Sequence, residues 1–182
     1  MAVRQSVYAL SGGLLPMTSL IQVTLSLGSN IDRFKHINAA LTALENEFGE
    51  VISSPIYESE AVGFDGSAFL NSIAIIYTQK SLTNVISVLK NIEDRHGRDR
   101  TGPKFSPRTL DIDVVTYGGF HGNHEGIELP RAELFKNAFV LRPMADLLPE
   151  DSVPGLTLSY AQLWQQFDQS KQALAPVNFV RR

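Results

Sequence analysis

Thr109–Tyr117, with the sequence TLDIDVVTY, alternates apolar and polar side chains and is followed by two glycines. Because successive side chains of a strand point to opposite faces, Leu110, Ile112 and Val114 are predicted to face a core. Asp111 and Asp113 then share the other face, roughly 7 Å apart along the strand. The stretch therefore predicts a half-buried strand that presents two carboxylates together.

The chain upstream of this strand alternates between strand and helix patterns. The predicted elements are a strand at 23–27, a helix from Asp32 to Gly49, a strand at 51–57 with an edge or bulge at Pro55, a loop at 58–67, a central strand at 69–78 and a helix from Ser81 to Gly97. This order predicts an α+β fold, a ferredoxin-like βαββαβ antiparallel sheet with its helices on one face. A C-terminal extension after residue 119 is expected to add loops, one or two short helices and a short strand pair.

The composition indicates one globular domain with a sizeable core. The 182 residues are 43% hydrophobic and include no Cys, which excludes disulfides, thiolate catalysis and Cys-based metal sites. The net charge of −3 argues against nucleic acid binding as the main task, because such proteins are usually basic. No apolar run reaches the ~18 residues of a membrane span. We therefore expect no nucleic acid or membrane partner and a cytoplasmic location.

The first sixteen residues are expected to lie outside this domain. They resemble a signal peptide only faintly, without a convincing cleavage site, and Met17 offers a second start. We assign residues 1–16 to an N-terminal extension and 17–182 to a single domain. Nothing in the sequence predicts an oligomeric state.

Basic residues crowd the stretch just before the aspartate pair. Six of the sixteen Lys and Arg residues lie within positions 90–108, and Arg98 and Arg100 are two residues apart in a loop. Mg²⁺ is commonly bound by one or two carboxylates together with substrate phosphates, and guanidinium groups bind phosphate oxygens in pairs. These features predict a site for Mg²⁺ and a triphosphate. The alternatives are two solvated aspartates and a surface run of charge.

An aromatic and an amide side chain share one face of the predicted central strand. Phe69 and Asn71 are two residues apart, so both point to the same side. A ring beside an amide that donates and accepts hydrogen bonds suits a flat heterocycle. The alternative for this pair is ordinary core packing.

From about Ile21 to Phe167, the chain resembles the 6-hydroxymethyl-7,8-dihydropterin pyrophosphokinase family of folate biosynthesis. The matching words, in chain order, are LGSN at 27–30, FLN at 69–71, IEDRHGR at 92–98, PRTLDID at 107–113 and FVL at 139–141 followed by Pro143 and Pro149. The resemblance implies the ferredoxin-like fold. It also implies transfer of the pyrophosphoryl group of ATP to the pterin hydroxymethyl group, with AMP as the second product.

The resemblance further implies a role for individual residues. Asp111 and Asp113 would bind two Mg²⁺ ions that bridge the ATP phosphates, and Arg98 and Arg108 would be catalytic. The implied ATP-binding residues are Glu93, Arg98, Arg100, Arg108 and Arg131. The implied pterin-binding residues are Ser59, Val62, Phe69, Asn71, Phe105 and Phe139.

Several positions depart from the family pattern, mainly on the nucleotide side. Phe105 stands where a Trp is usual, Arg131 replaces a His that contacts phosphate, and Asn137 replaces an Arg. Two functions of different class follow. The first is an active pyrophosphokinase. The second is a paralogue that binds pterin or nucleotide without this turnover, or that uses another phosphate donor. A nucleic acid-binding function is disfavoured, because neither central strand carries the paired aromatic motifs with which such sheets bind RNA.

Overall fold

The computed structural model describes residues 19–63, 65–98, 101 and 107–181. The predicted extension at 1–16 lies outside these residues. The elements in chain order are β1 (Ile21–Ser29), α1 (Arg33–Phe48), β2 (Ile52–Ser53), β3 (Ile56–Ser59), β4 (Phe69–Thr78), α2 (Leu82–Arg95), β5 (Asp111–Tyr117), β6 (Gly122–His124), β7 (Ile127–Leu129), α3 (Ala138–Leu147), α4 (Tyr160–Gln166) and β8 (Leu174–Val177). Short 3₁₀ turns span Ala132–Phe135 and Gln169–Lys171.

The main sheet confirms the predicted ferredoxin-like arrangement. Its strand order is β5-β1-β4-β3-β8, with β2 also paired to β4. Every pairing is antiparallel. The predicted C-terminal strand pair is present as the separate β6–β7 hairpin, and β8 extends the main sheet beyond β3. The central strand and the helix that follows it begin and end close to their predicted positions.

One face of the sheet packs against α1 and α2. The inward positions of β1, Val23, Leu25 and Leu27, are fully buried there. Leu41 of α1 and Leu89 of α2 belong to the same core. The period of two in the strand and the helical spacing of the apolar residues therefore meet in one continuous core.

The two helices of the βαββαβ unit share one face of the sheet, as predicted, whereas the helices of the C-terminal extension, α3 and α4, pack on the other face. Ile73 of β4 and Val115 of β5 point to this second face. They are buried with Val140 and Met144 of α3 and with Tyr160 of α4. Apolar side chains on both faces of the central strands require cover on both sides. Near one end of this second face, described side chains of β1, β4 and β5 become polar and line a cavity.

The predicted strand at 51–57 is two strands. Pro55 lies between β2 and β3, as expected for a residue that cannot donate to a strand ladder. Strand β3 continues to Ser59, into the predicted loop. At the other end of the sheet, β5 begins at Asp111 rather than Thr109. The carbonyl of Thr109 accepts from the side-chain hydroxyl of Ser29, the last residue of the neighbouring strand β1, at 2.6 Å.

The two long helices begin differently. Asp32 precedes α1, but it has φ 44° and its side chain makes no capping hydrogen bond, contrary to the prediction. Ser81 caps α2 as predicted, accepting from the Asn84 amide at 3.3 Å. Glu125, in the β6–β7 turn, also accepts from the Thr83 amide at 2.8 Å. This contact places a carboxylate at the positive end of α2 and fastens the hairpin to the main fold.

Among the described residues, the structure contains no helix that combines the length and the apolar character needed to cross a membrane.

Truncation of Leu89 is expected to lower the free energy of unfolding by about 2–5 kcal/mol, because Leu89→Ala leaves a cavity in the core. Leu89 is only 2% exposed. The matched control is Leu20→Ala, at a site 57% exposed, which should change stability by less than about 0.5 kcal/mol. Urea denaturation followed by circular dichroism measures both, and equal losses would contradict the described core.

Candidate active site

The register of the three central strands aligns polar side chains on the second face of the sheet. Gly28 of β1 pairs with Asn71 of β4 on one side and with Asp111 of β5 on the other. Two residues earlier along β1, Ser26 pairs with Asp113. The two aspartates and the Phe69–Asn71 pair, which the sequence predicts on separate strands, therefore share one face.

These residues line a cavity of about 230 Å³ between the sheet and α3. Its floor contains Gly28, where an added Cβ would lie 3.7 Å from the Phe69 ring and 3.8 Å from Asn71 Oδ1. The absence of a side chain at Gly28 thus keeps the floor open. The predicted site residues that line the cavity are Ser59, Val62, Phe69, Asn71, Arg108, Asp111, Asp113, Arg131 and Phe139.

Asp111 is held by two guanidinium groups. Arg98 Nη2 lies 3.0 Å from Asp111 Oδ1, and Arg108 Nη1 binds Asp111 Oδ2. Arg98 also donates through Nη1 to the Leu110 carbonyl at 3.1 Å. The side chains of both arginines and of Asp111 are largely buried. These contacts balance the Asp111 charge and hold cationic groups at the cavity edge.

Asp113 is part of a second charged cluster. Arg131 Nη2 lies 3.2 Å from Asp113 Oδ1, and Arg131 Nε lies 3.2 Å from Glu133 Oε2. The pKa of Asp113 is raised from 3.8 to about 6, first by burial and then by the charge of Asp111, against the opposing effect of Arg131. The Asp113 carboxylate is therefore less stable in this site than a carboxylate in water, which a bound cation would offset.

Asn71 presents its carbonyl oxygen to the cavity. Its amide nitrogen donates to Ser59 Oγ at 2.9 Å and to the Tyr57 carbonyl at 3.4 Å. Both N–H groups are thus committed to β3, and Asn71 is only 4% exposed. The sequence predicts a group that donates and accepts, whereas the structure offers a ligand an acceptor, which suits the N–H donors on the edge of a heterocycle.

Asn30, which directly follows β1, holds the segment that leads into β5, the strand with the two aspartates. Asn30 Oδ1 accepts from the Arg108 amide at 2.7 Å, and Asn30 Nδ2 donates to the Ser67 carbonyl at 3.1 Å. The Asn30 amide in turn donates to the Arg108 carbonyl at 3.1 Å. In the sequence, the LGSN stretch at 27–30 stands out only through its resemblance to the family. The pairing that joins residue 30 to residue 108 appears only in the folded chain.

Two predicted site residues lie beside the cavity rather than in its lining. Arg98 supports Asp111 from the outer edge of β5. Glu93 is 6% exposed, and its Oε1 accepts from the Ile112 amide at 2.8 Å. In this structure Glu93 therefore supports the strand that carries both aspartates. Arg100 and Phe105 lie outside the described residues.

The sequence does not single out several residues that line the cavity. The residues to which the sequence assigns no role are Ser26, Gly28, Glu60, Val115, Glu133, Asn137 and Val140. Gly28 and Val140 lie within the LGSN and FVL stretches of the resemblance, and Asn137 is noted only as a departure from the family pattern. The alternation of β1 and β5 accounts for Ser26 and Val115, since they share a face with Gly28 and Asp113. Glu60 and Glu133 have no such local signal, because they reach the cavity through a loop and a turn.

The raised pKa of Asp113 predicts a pH-dependent stability. Between about pH 4 and 6 the folded protein binds more protons than the unfolded chain, so stability falls as pH rises through this window. Because the side chain is 36% exposed, we expect a loss of roughly 1 kcal/mol after solvent screening. Asp113→Asn should remove this loss.

Urea denaturation at pH 4, 5, 6 and 7 in buffer free of divalent cations measures the effect. The control Glu150→Gln, at an exposed carboxylate, should keep the pH dependence of the parent protein. A parallel pH dependence for Asp113→Asn and the parent protein would show that the pKa of Asp113 is not raised.

Comparison with known proteins identifies the family and several relatives of this chain. The family model for 7,8-dihydro-6-hydroxymethylpterin-pyrophosphokinase (HPPK) matches residues 24–149. The chain is 34% identical over 137 residues to the 2-amino-4-hydroxy-6-hydroxymethyldihydropteridine pyrophosphokinase of Pseudomonas aeruginosa. This match covers 73% of this chain and 84% of that protein. It is 36% identical over 141 residues to the folate synthesis bifunctional protein of Chlamydia caviae. That match covers 73% of this chain and 32% of that protein.

The fold is also similar to that of a solved structure, a Plasmodium falciparum HPPK-DHPS triple mutant with pteroate. The TM-score is 0.65 at 14% identity, and the match covers 83% of this chain and 44% of that chain. At this identity the similarity concerns the fold alone. The chain spans about a third of the Chlamydia caviae protein, and most of the Pseudomonas aeruginosa protein. The family model and the Pseudomonas aeruginosa relative together establish that the chain belongs to the HPPK family.

Proposed function

We propose that the protein transfers the pyrophosphoryl group of ATP to the hydroxymethyl group of 6-hydroxymethyl-7,8-dihydropterin, giving AMP and the pterin diphosphate. The supporting observation is one cavity that joins the Asp111–Asp113 pair to Phe69, Asn71 and Phe139. The carboxylates and arginines provide a phosphate end, and the two rings and the amide provide a pocket for a flat heterocycle. Membership of the HPPK family supports the same pair of substrates.

The residues of the cavity fit a requirement for Mg²⁺. The lining carries four carboxylates and two guanidinium groups, so a free triphosphate would be repelled. No cluster of three or more His, Asp or Glu residues that could enclose a metal occurs in the described part of the chain. Two carboxylates that share the ion with phosphate oxygens and water are a common arrangement for Mg²⁺. We therefore assign Mg²⁺ to Asp111 and Asp113, as two ions that bind with ATP.

The protein's own side chains would position the two substrates and balance the charge of the phosphates. In the reaction the hydroxymethyl oxygen bonds to the β-phosphorus, the bond to the α–β bridging oxygen breaks, AMP leaves, and the hydroxyl proton is lost to solvent. Arg98 and Arg108 would turn from Asp111 to the phosphates, and Arg131 would turn from Asp113. Phe69, Phe139 and Asn71 would hold the pterin in line with the β-phosphorus. Bound Mg²⁺ would supply charge neutralisation and a lower pKa for the attacking hydroxyl.

One observation favours the second candidate, a paralogue that binds without turnover or uses another donor. Arg131 already binds Asp113 and Glu133, so it competes with a cation for one of the two aspartates. Asn137, which lines the same cavity, lacks the charge of the Arg usual in the family. Both features are expected to weaken ATP binding, and neither involves the residues proposed to bind the pterin.

The deciding experiment is turnover with ATP, Mg²⁺ and 6-hydroxymethyl-7,8-dihydropterin, with products identified by mass. We expect AMP and the pterin diphosphate. Asp111→Ala should lower kcat by roughly a thousandfold or more, because the charge of the phosphates is no longer offset. Pterin binding by this variant should remain. Asp151→Ala, at an exposed carboxylate, serves as the matched control and should keep full activity.

The products distinguish the alternatives. Release of ADP would indicate transfer of the γ-phosphoryl group and would contradict the proposed reaction. Pterin binding without any nucleotide product would favour the paralogue. Full activity of Asp111→Ala would exclude the assigned phosphate end of the cavity.

The floor of the cavity provides a separate test of the pterin side. Gly28→Val should weaken pterin binding by roughly tenfold or more, because its methyl groups fill space beside Phe69 and Asn71. A Cβ at this position meets only ordinary contacts, so we expect a Tm change of less than about 3 °C. Titration calorimetry and thermal unfolding measure the two effects.

The matched control is Gly119→Val, where an added Cβ meets nothing within 4 Å. This variant should bind pterin as the parent protein does. Unchanged pterin affinity in Gly28→Val would show that the ligand does not lie against the β1 floor.

The remaining expectations from the sequence stay predictions. Arg100 and Phe105 would complete the ATP and pterin ends from the loop before β5. The cytoplasmic location would match the proposed metabolism of a soluble pterin.

A further inference from the structure

The segment that follows the family match is attached to one wall of the cavity. The match ends at residue 149, and β8 lies beyond it at Leu174–Val177. Strand β8 pairs with β3, with Leu174 opposite Ser59 and Pro176 opposite Tyr57. Ser59 lines the cavity and receives a hydrogen bond from Asn71 at 2.9 Å. The C-terminal segment therefore supports the β3 side of the pocket.

Gln172, two residues before β8, contacts the opposite wall. Its Oε1 accepts from the Ala138 amide at 2.8 Å, and its Nε2 donates to the Lys136 carbonyl at 3.0 Å. One side chain thus holds the backbone on both sides of Asn137 and directly before Phe139. Asn137 and Phe139 both line the cavity. A single amide connects the strand that supports one wall to the residues that form the other.

The start of α3 depends on this contact. The first amides of a helix have no partner within the helix, and Ala138 is fully buried. The Asn137 side chain, at the capping position, makes no capping hydrogen bond. Gln172 therefore supplies the acceptor that α3 would otherwise lack at Ala138.

The far end of α3 is fastened to the same strand. The Tyr57 hydroxyl donates to Asp146 Oδ2 at 2.5 Å. Arg142 Nη2 lies 3.0 Å from Asp146 Oδ1. The helix is thus connected to β3 directly near its C-terminus and through Gln172 and β8 at its N-terminus. Phe139 stands in the first turn, next to the Gln172 attachment and far from the Tyr57 attachment.

We propose that Gln172 is a positioning residue for pterin binding, which holds the first turn of α3 so that Phe139 keeps its place in the cavity. The inference rests on the proposed function for its ligand. It assigns to the C-terminal segment a part in the pocket that the family match does not include. Gln172 acts through Ala138 and Lys136 and does not line the cavity itself.

The test compares Gln172→Ala, Gln172→Glu and the control Gln169→Ala. Gln169 is exposed, and its Nε2 bonds only the Trp164 carbonyl, at 3.4 Å, among the hydrogen bonds of the described residues. Titration calorimetry measures binding of 6-hydroxymethyl-7,8-dihydropterin in the presence of Mg²⁺ and α,β-methylene-ATP, and binding of that nucleotide alone. Amide hydrogen exchange of the unliganded proteins reports on the first turn of α3.

We expect Gln172→Ala to weaken pterin binding by about tenfold while nucleotide binding stays within about twofold, because only the α3 wall loses its anchor. Amides in the first turn of α3 should exchange faster in this variant. Gln172→Glu should weaken pterin binding less than Gln172→Ala does, since its carboxylate still accepts from the Ala138 amide but cannot donate to the Lys136 carbonyl. Gln169→Ala should behave as the parent protein.

Unchanged pterin affinity in Gln172→Ala would overturn the inference, and so would equal weakening of pterin and nucleotide. Absence of pterin binding in the parent protein would instead contradict the proposed function. In that case the pterin role falls with the proposed function, and hydrogen exchange tests only the attachment of α3: unchanged exchange at the start of α3 in Gln172→Ala overturns the attachment as well.

Discussion

The pairing of β1 with β4 and β5 is the constraint on which the site depends. Its register sets Gly28 between Asn71 and Asp111, so that one residue without a side chain separates an amide from a carboxylate. A shift of one residue would turn the aspartates into the α1–α2 core and the apolar residues of β5 toward the cavity. Burial of Leu25 and Leu27 therefore stabilises the register that brings the polar side chains together.

Charge around the cavity is arranged in pairs that a ligand must rearrange. Asp111 binds two arginines, and Asp113 shares Arg131 with Glu133. These ion pairs offset the cost of gathering carboxylates in a half-buried cavity. They also keep cationic groups beside the location proposed for the phosphates. Cations bound at the aspartates would release the guanidinium groups to phosphate oxygens, so binding of metal and of nucleotide would be coupled.

Much of the fold follows from local patterns. The alternation in Thr109–Tyr117, the helical spacing around Leu89 and the Ser81 cap predict elements that the structure contains. The candidate site is less predictable. Asp111, Asp113, Phe69 and Asn71 are identified by spacing and resemblance, whereas Glu133 and Gln172 carry no local signal because their partners are remote in the chain or reached through turns. The cover of the second face by α3 and α4 also depends on packing between distant segments.

The sequence by itself determined which residues alternate, which strand carries the two carboxylates, and which family the chain resembles, because these properties reside in short stretches of neighbouring residues. Only the tertiary structure decided that Asn71 shows its carbonyl oxygen, that Glu93 supports β5 outside the cavity lining, and that a C-terminal glutamine holds the start of α3. Each depends on a hydrogen bond between groups brought together by folding, and no local pattern encodes the partner of such a bond.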